Sequence, residues 1–147
     1  MILDALNQLS DSQAFTTNAT TVTTNCLDLG DVTPKRQVGS GEPLCIAFFI
    51  EAITAAADTF TLQAISATAS NLTGSVTVLM RTGVLAAAAI PVGTIVVVPI
   101  PPGAPAQRYM GGSAILGAAD ALTASAFVVP LSFITKLQNY ATNIIIA

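Results

Sequence analysis

Along most of this chain apolar and polar residues alternate with a period of two, the spacing of a half-buried strand rather than of a helix. In "CLDLG" (26–30) the alternation puts Leu27 and Leu29 on one face and Cys26 with Asp28 on the other. "PLCIAFFIEAI" (43–53) is apolar on both faces, as in a strand covered by a second sheet on one side and by a neighbour on the other. "DTFTLQAISATAS" (58–70) sets Phe60, Leu62 and Ala64 against Thr61 and Gln63, a half-buried pattern. After a turn marked by Asn71 and Gly74, "SVTVLMRTGVLA" (75–86) places Val76, Val78 and Met80 on one face. "TIVVVPI" (94–100), "RYMGGSAIL" (108–116), "ALTASAFVVPLSF" (121–133) and a short strand near "SQAF" (12–15) complete the set. About eight strands separated by turn signals predict an all-β, antiparallel sandwich or barrel.

Helices have little to build on. "VLAAAAIPVG" (84–93) has room for a turn or two before Pro91, and "DALNQLSD" (4–11) for one, but neither carries the length or stripe of a core helix. The Thr-rich "TTNATTVTTN" (16–25) reads as an edge strand or an arm. No fixed-period repeat and no flexible linker divides the 147 residues, which are expected to form one domain. Residues 1–25 and 134–147 are candidate arms toward neighbours.

"PIPPGAPAQRYM" (99–110) puts four prolines into its first seven positions. Pro99 has no N–H for a ladder, so the preceding strand ends there or runs along a sheet edge. The turn that follows is rigid and extended, and it delivers Arg108 and Tyr109 at a fixed angle to the next strand. Pro101, Pro102, Arg108 and Tyr109 are therefore candidate partner contacts; a stiff connection between two sheets is the alternative.

Composition changes the picture most. Hydrophobic residues make up 52% of the chain and charged residues 9%, against about 25% charged in a typical soluble domain. A surface so short of charge points to contact with another protein or a membrane. Between Arg81 and Arg108 there is no charge, but Pro91, Gly93, Pro99, Pro101, Pro102, Gly103 and Pro105 interrupt that stretch, which argues against a transmembrane helix. "MILDALNQLSDSQ" lacks a basic region followed by an apolar run, so synthesis in the cytoplasm is expected. The expectation is an assembly subunit.

Several separated stretches, "MILDALNQLSDSQAF", "CLDLGD", "VGSGEPLCIAFFI", "FTLQ" and "GTIVVVPIPPGAPAQRYM", resemble in order and spacing the cement (decoration) proteins of tailed-phage capsids. The most distinctive pieces are "SDSQA", the "GxGEPL" of Gly39 to Leu44, and the "PIPPG" that precedes Arg108 and Tyr109. The resemblance implies a jelly-roll-like β-sandwich that sits as an oligomer, dimer or trimer, on the outside of the virion shell and clamps neighbouring major capsid proteins. A phage tail or fibre subunit is the alternative.

Chemistry offers no competing reading. The chain has no histidine, which excludes Ser-His-Asp and Cys-His nucleophile arrangements, and no enzymatic turnover is expected. Cys26 and Cys45 form no CxxC and are expected as free thiols, with no metal and no cofactor. Asp28 and Asp31 have a spacing compatible with a hard cation, although capped turns explain them as well. Five basic residues and a pI of 4.4 oppose nucleic-acid binding. Lys35 and Arg36 belong either to a solvated loop or to a contact with an acidic patch on a capsid subunit.

Near the C-terminus, Ile144, Ile145 and Ile146 form an apolar run, and burying each fully is worth about 1.5–3 kcal/mol. The tail is expected to add to a sheet edge or pack on a neighbouring subunit; closing its own sandwich is the alternative.

Overall fold

The computed structural model describes residues 5–16, 20–31, 41–54, 59–103, 107–117, 121–137 and 144–146. Eleven strands and one short helix follow in order: β1 (Gln8–Phe15), β2 (Thr20–Val22), β3 (Leu27–Asp28), β4 (Leu44–Ile53), β5 (Thr59–Ala67), β6 (Thr77–Arg81), β7 (Leu85–Ala86), β8 (Ile95–Pro99), β9 (Tyr109–Leu116), β10 (Leu122–Pro130), α1 (Leu131–Leu137) and β11 (Ile144–Ile146). Single 3-10 turns occupy Ala5–Asn7 and Ala87–Ala89, in the two stretches that had room for a helical turn. Among the described residues no helix is long and apolar enough to cross a membrane.

The strands form two sheets. The first has the order β1-β10-β4-β8-β11; the second runs β2-β9-β5-β6, with β3 also paired to β9 and β7 to β5. Pairing β1 with β10, β2 and β3 with β9, β4 with β8, and β5 with β6 and β7 makes one long hairpin whose successive rungs alternate between sheets. That is a jelly roll, and every pair is antiparallel except β11 on β8. Eight strand positions are filled; β3 and β7 are fragments of positions shared with β2 and β6, and β11 is an addition.

Alternation dictates the core. Ile46, Phe48 and Ile50 of β4, Val96 and Val98 of β8, and Ala124 and Ala126 of β10 face Phe60, Leu62 and Ala64 of β5 and Met110 and Ala114 of β9. Gly112 lets the sheets close: a Cβ there would lie 2.8 Å from Cζ of Phe48 and 3.1 Å from Cγ2 of Thr23. Its neighbour Gly111 plays the same part on the opposite face, where a Cβ would come within 2.4 Å of Cδ1 of Leu72. Between β2 and β3, Thr23 breaks the strand but keeps the ladder. Its N–H donates to the Gly112 carbonyl at 2.9 Å, and its Oγ1 accepts from the Gly112 N–H at 3.1 Å.

The first sheet's outer face is apolar too, which explains why "PLCIAFFIEAI" has no polar side. Its cover comes from within the chain. The strand expected over 121–133 stops at Pro130, and Leu131–Leu137 turns back as α1, anchored where the Leu131 N–H donates to the Pro43 carbonyl at 2.8 Å. Cys45, Ala47, Ile95, Val97 and Val129 are buried beneath Ile134, with Leu131 and Phe133 packed alongside. Phe49 and Phe127 meet edge to face, 5.6 Å between centroids. Cys45 is a free thiol, and Cys26 is free and half-buried. Burial pushes the Cys45 thiol up to about 12.

Three expectations need correction. The strand expected over 75–86 is broken between β6 and β7. The face of β5 expected to be wet is not: Gln63, Ile65 and Ala67 are buried, because the turn after β5 folds Leu72 back over Ile65 and Ala67. Val76, Val78 and Met80 do not share one face: Val76 and Val78 look away from the core, while a register shift sets Met80 opposite core Ala64, next to Leu79, which packs inward.

Two measurements check this packing. Gly112→Ala drives a methyl into Phe48 and is expected to cost about 1–3 kcal/mol in urea unfolding; an unchanged midpoint would mean the sheets are not in contact there. Cys45 keeps its proton in the folded state to about pH 12 and loses it near 9.0 when unfolded. The burial of this thiol therefore takes nothing from stability below pH 9 and an increasing amount from there to about pH 12. Cys45→Ala should flatten that alkaline decline, and parallel slopes for the two proteins would contradict the buried thiol.

Candidate interaction surface

The proline-rich stretch ends β8 as its chemistry requires. The Ile100 N–H makes a last bond to the Leu44 carbonyl at 2.9 Å, Pro101 and Pro102 leave the sheet, and Gly103 turns with φ of 71°. When the chain returns, Arg108 is held within the molecule. Its Nε and Nη2 donate to the two carboxylate oxygens of Asp28, each at 3.1 Å, and Nη1 lies 3.4 Å from Oδ2 of Asp31. The guanidinium carbon stands 5.0 Å from the centre of the Tyr109 ring. The hydrogen bond to Asp28 is the main cause that raises the Arg108 pKa above its usual range. Asp28 also accepts from the Gly30 N–H at 2.8 Å, the capped turn read from "DLGD". This corner fixes the start of β9 against β3, where the Leu29 N–H donates to the Arg108 carbonyl at 2.7 Å.

Ile144–Ile146 add to a sheet edge of their own chain, in register with Ile95–Val97 of β8. Ile145 packs against the main core, while Ile146 stays half exposed. The segments 8–15 and 20–22, within the expected N-terminal arm, are edge strands of the two sheets, and Ile134 belongs to α1. Lys35 and Arg36 lie outside the described residues.

The surface that stands out is one the sequence reading did not single out: the outer face of the second sheet. Across it runs an open groove of about 450 Å³ lined by Thr20, Val22, Ile65, Leu72, Val78 and Ile115, among others. Its floor is satisfied internally, since Ser113 Oγ donates to Gln63 Oε1 at 3.1 Å. Its walls are not covered. Val76 and Val78 are each 46% exposed and Ile115 40%. Alternation marked Val76, Val78 and Met80 as sharing a face, but a period of two shows neither the register shift that separates Met80 from Val78 nor which face looks inward.

One edge of that sheet is also open. Among the described residues nothing pairs with the far side of β6. Arg81 stands exposed at its end and makes no ion pair among the described residues. The arrangement can bind an apolar surface or an extended chain; among the described residues no group of three or more His, Cys, Asp or Glu comes together.

No curated protein matches the chain. The Bbp16 family model matches residues 9–131, from β1 to the first residue of α1. That match covers most of the chain and every strand of the jelly roll proper, so the chain belongs to the Bbp16 family, a family of phage-associated proteins.

Proposed function

We propose that this protein is a cement (decoration) protein of a phage head. It binds the outside of the shell, as a dimer or trimer, and stabilises the contacts between neighbouring major capsid proteins without turnover. The observation that carries the reading is the uncovered outer face of the second sheet. In a chain with 9% charged residues, Val76, Val78 and Ile115 line one apolar groove with nothing among the described residues above it. Patches of this kind mark sites of protein contact. The jelly roll and the phage-associated family support the same reading.

Cement of this kind acts by linkage. A protein that binds the assembled shell but not its separated subunits lowers the free energy of the assembled state. Each contact can be modest, because ordering costs consume much of what the buried area supplies, but many copies on one lattice sum to a large effect.

Heads prepared with and without the protein provide the test. Those lacking it are expected to rupture at lower temperature in a thermal DNA-release assay, and adding the purified protein back should restore the difference. Identical rupture profiles, or recovery of the protein with tails rather than heads, would overturn the proposal.

A further inference from the structure

We infer that the outer edge of β8 is a strand-acceptor site and that β11 is a strap that shuts it: seated there, the tail keeps β8 from pairing with β8 of a second copy. The inference is independent of the cement reading.

The pairing of β8 with β4 shows which of its backbone groups face outward. In an antiparallel ladder alternate residues turn their N–H and C=O toward the partner, and the residues between them turn away. The Ile50 N–H donates to the Thr94 carbonyl and the Ile100 N–H to the Leu44 carbonyl, each at 2.9 Å, so Thr94, Val96, Val98 and Ile100 turn toward β4. Ile95, Val97 and Pro99 turn outward. Pro99 has no N–H to offer, which closes its end of the edge. β11 closes the rest, because Ile144, Ile145 and Ile146 pair with Ile95, Val96 and Val97. Protection of this edge is thus divided between a proline and the tail.

Without β11, β8 would be the last strand of the first sheet among the described residues. It reads "IVVVP", β-branched up to the proline and free of charge. Such a run makes an open edge a template for another chain. A second copy fits it best: two β8 strands related by a two-fold axis meet antiparallel, each offering the other the same outward groups, and no charge opposes them. The strap itself is slight. It has three residues in parallel pairing, which is the weaker kind per residue; Ile145 anchors it against the main core, and Ile146 is half exposed. Its tether to the same chain gives it the effective concentration to outcompete a second molecule.

The test uses full-length protein. Ile145→Asp puts a charge at the anchor, Ile145→Pro removes a strap N–H while keeping an apolar side chain, and Ile145→Val preserves the strap. In sedimentation velocity over a concentration series, the Asp and Pro variants are expected to form species larger than those of wild type at the same concentration, and Ile145→Val to match wild type. The amides of Ile95 and Val97 should exchange quickly in the dilute Asp and Pro variants, slowly in wild type, and slowly again once the variants associate. Fast exchange at both amides without added association would overturn the inference, since an open edge would then not self-pair. Slow exchange in the dilute folded variants would overturn it too, because β11 would not be what covers the edge, and so would association that leaves Ile95 and Val97 exchanging quickly. If both variants lack a cooperative unfolding transition when dilute, the tail is a part of the folded core and not a strap, and the inference fails.

Discussion

A sandwich has two outer faces to keep in water, and this chain has little charge with which to do so. Thirteen charged residues serve 147 positions. The first sheet resolves the shortage by spending the residues after β10 on a helix, which closes over Cys45, Ala47, Ile95, Val97 and Val129. Among the described residues the second sheet has one folded-back turn. Leu72 covers Ile65 and Ala67, and beyond its reach Val76, Val78 and Ile115 stay in contact with solvent. This asymmetry between the faces is the constraint from which the functional reading follows.

The jelly roll explains why cover could not simply come from neighbouring strands. Successive rungs of the long hairpin alternate between sheets, so each sheet is finished by its own edges, and closure comes from bonds between edges. On one flank those bonds are present, through Asn25 with Leu9 and Gln13 with Val22. Near the opposite flank β11 covers the edge of β8, but β6 has no comparable cover among the described residues. Uncovered face and sheet edge thus meet at one strand, "TVLMR", which has no proline but carries a register shift against β5 and the charge of Arg81 at its end.

Much of this was legible in the chain. Strands such as β4, β8 and β9 lie where a period of two and the turn residues put them, and Pro99 ended its strand as a residue without an N–H must. The loss of detail has physical causes. α1, "LSFITKL", follows the apolar end of β10 directly, and only Pro130 marks the change from strand to helix. Val76, Val78 and Met80 read as one face, but the register shift of β6 against β5, a tertiary property, sets Met80 opposite core Ala64 and leaves Val76 and Val78 outside. Arg108 was singled out as a contact residue because of the rigid loop before it; its ion pair with Asp28 depends on a meeting of residues 80 positions apart. What composition did convey was the shortage of charge, and hence that some apolar surface needed a partner.

The central claim is that the outer face of the second sheet is covered only when the protein sits in its assembly. A cryo-electron microscopy reconstruction of the intact particle tests this most directly. The account predicts density for this jelly roll on the outside of the head, with Val76, Val78 and Ile115 buried against a neighbouring chain. Finding those three side chains still facing solvent, with the protein attached through the α1 side or located away from the head, would contradict it.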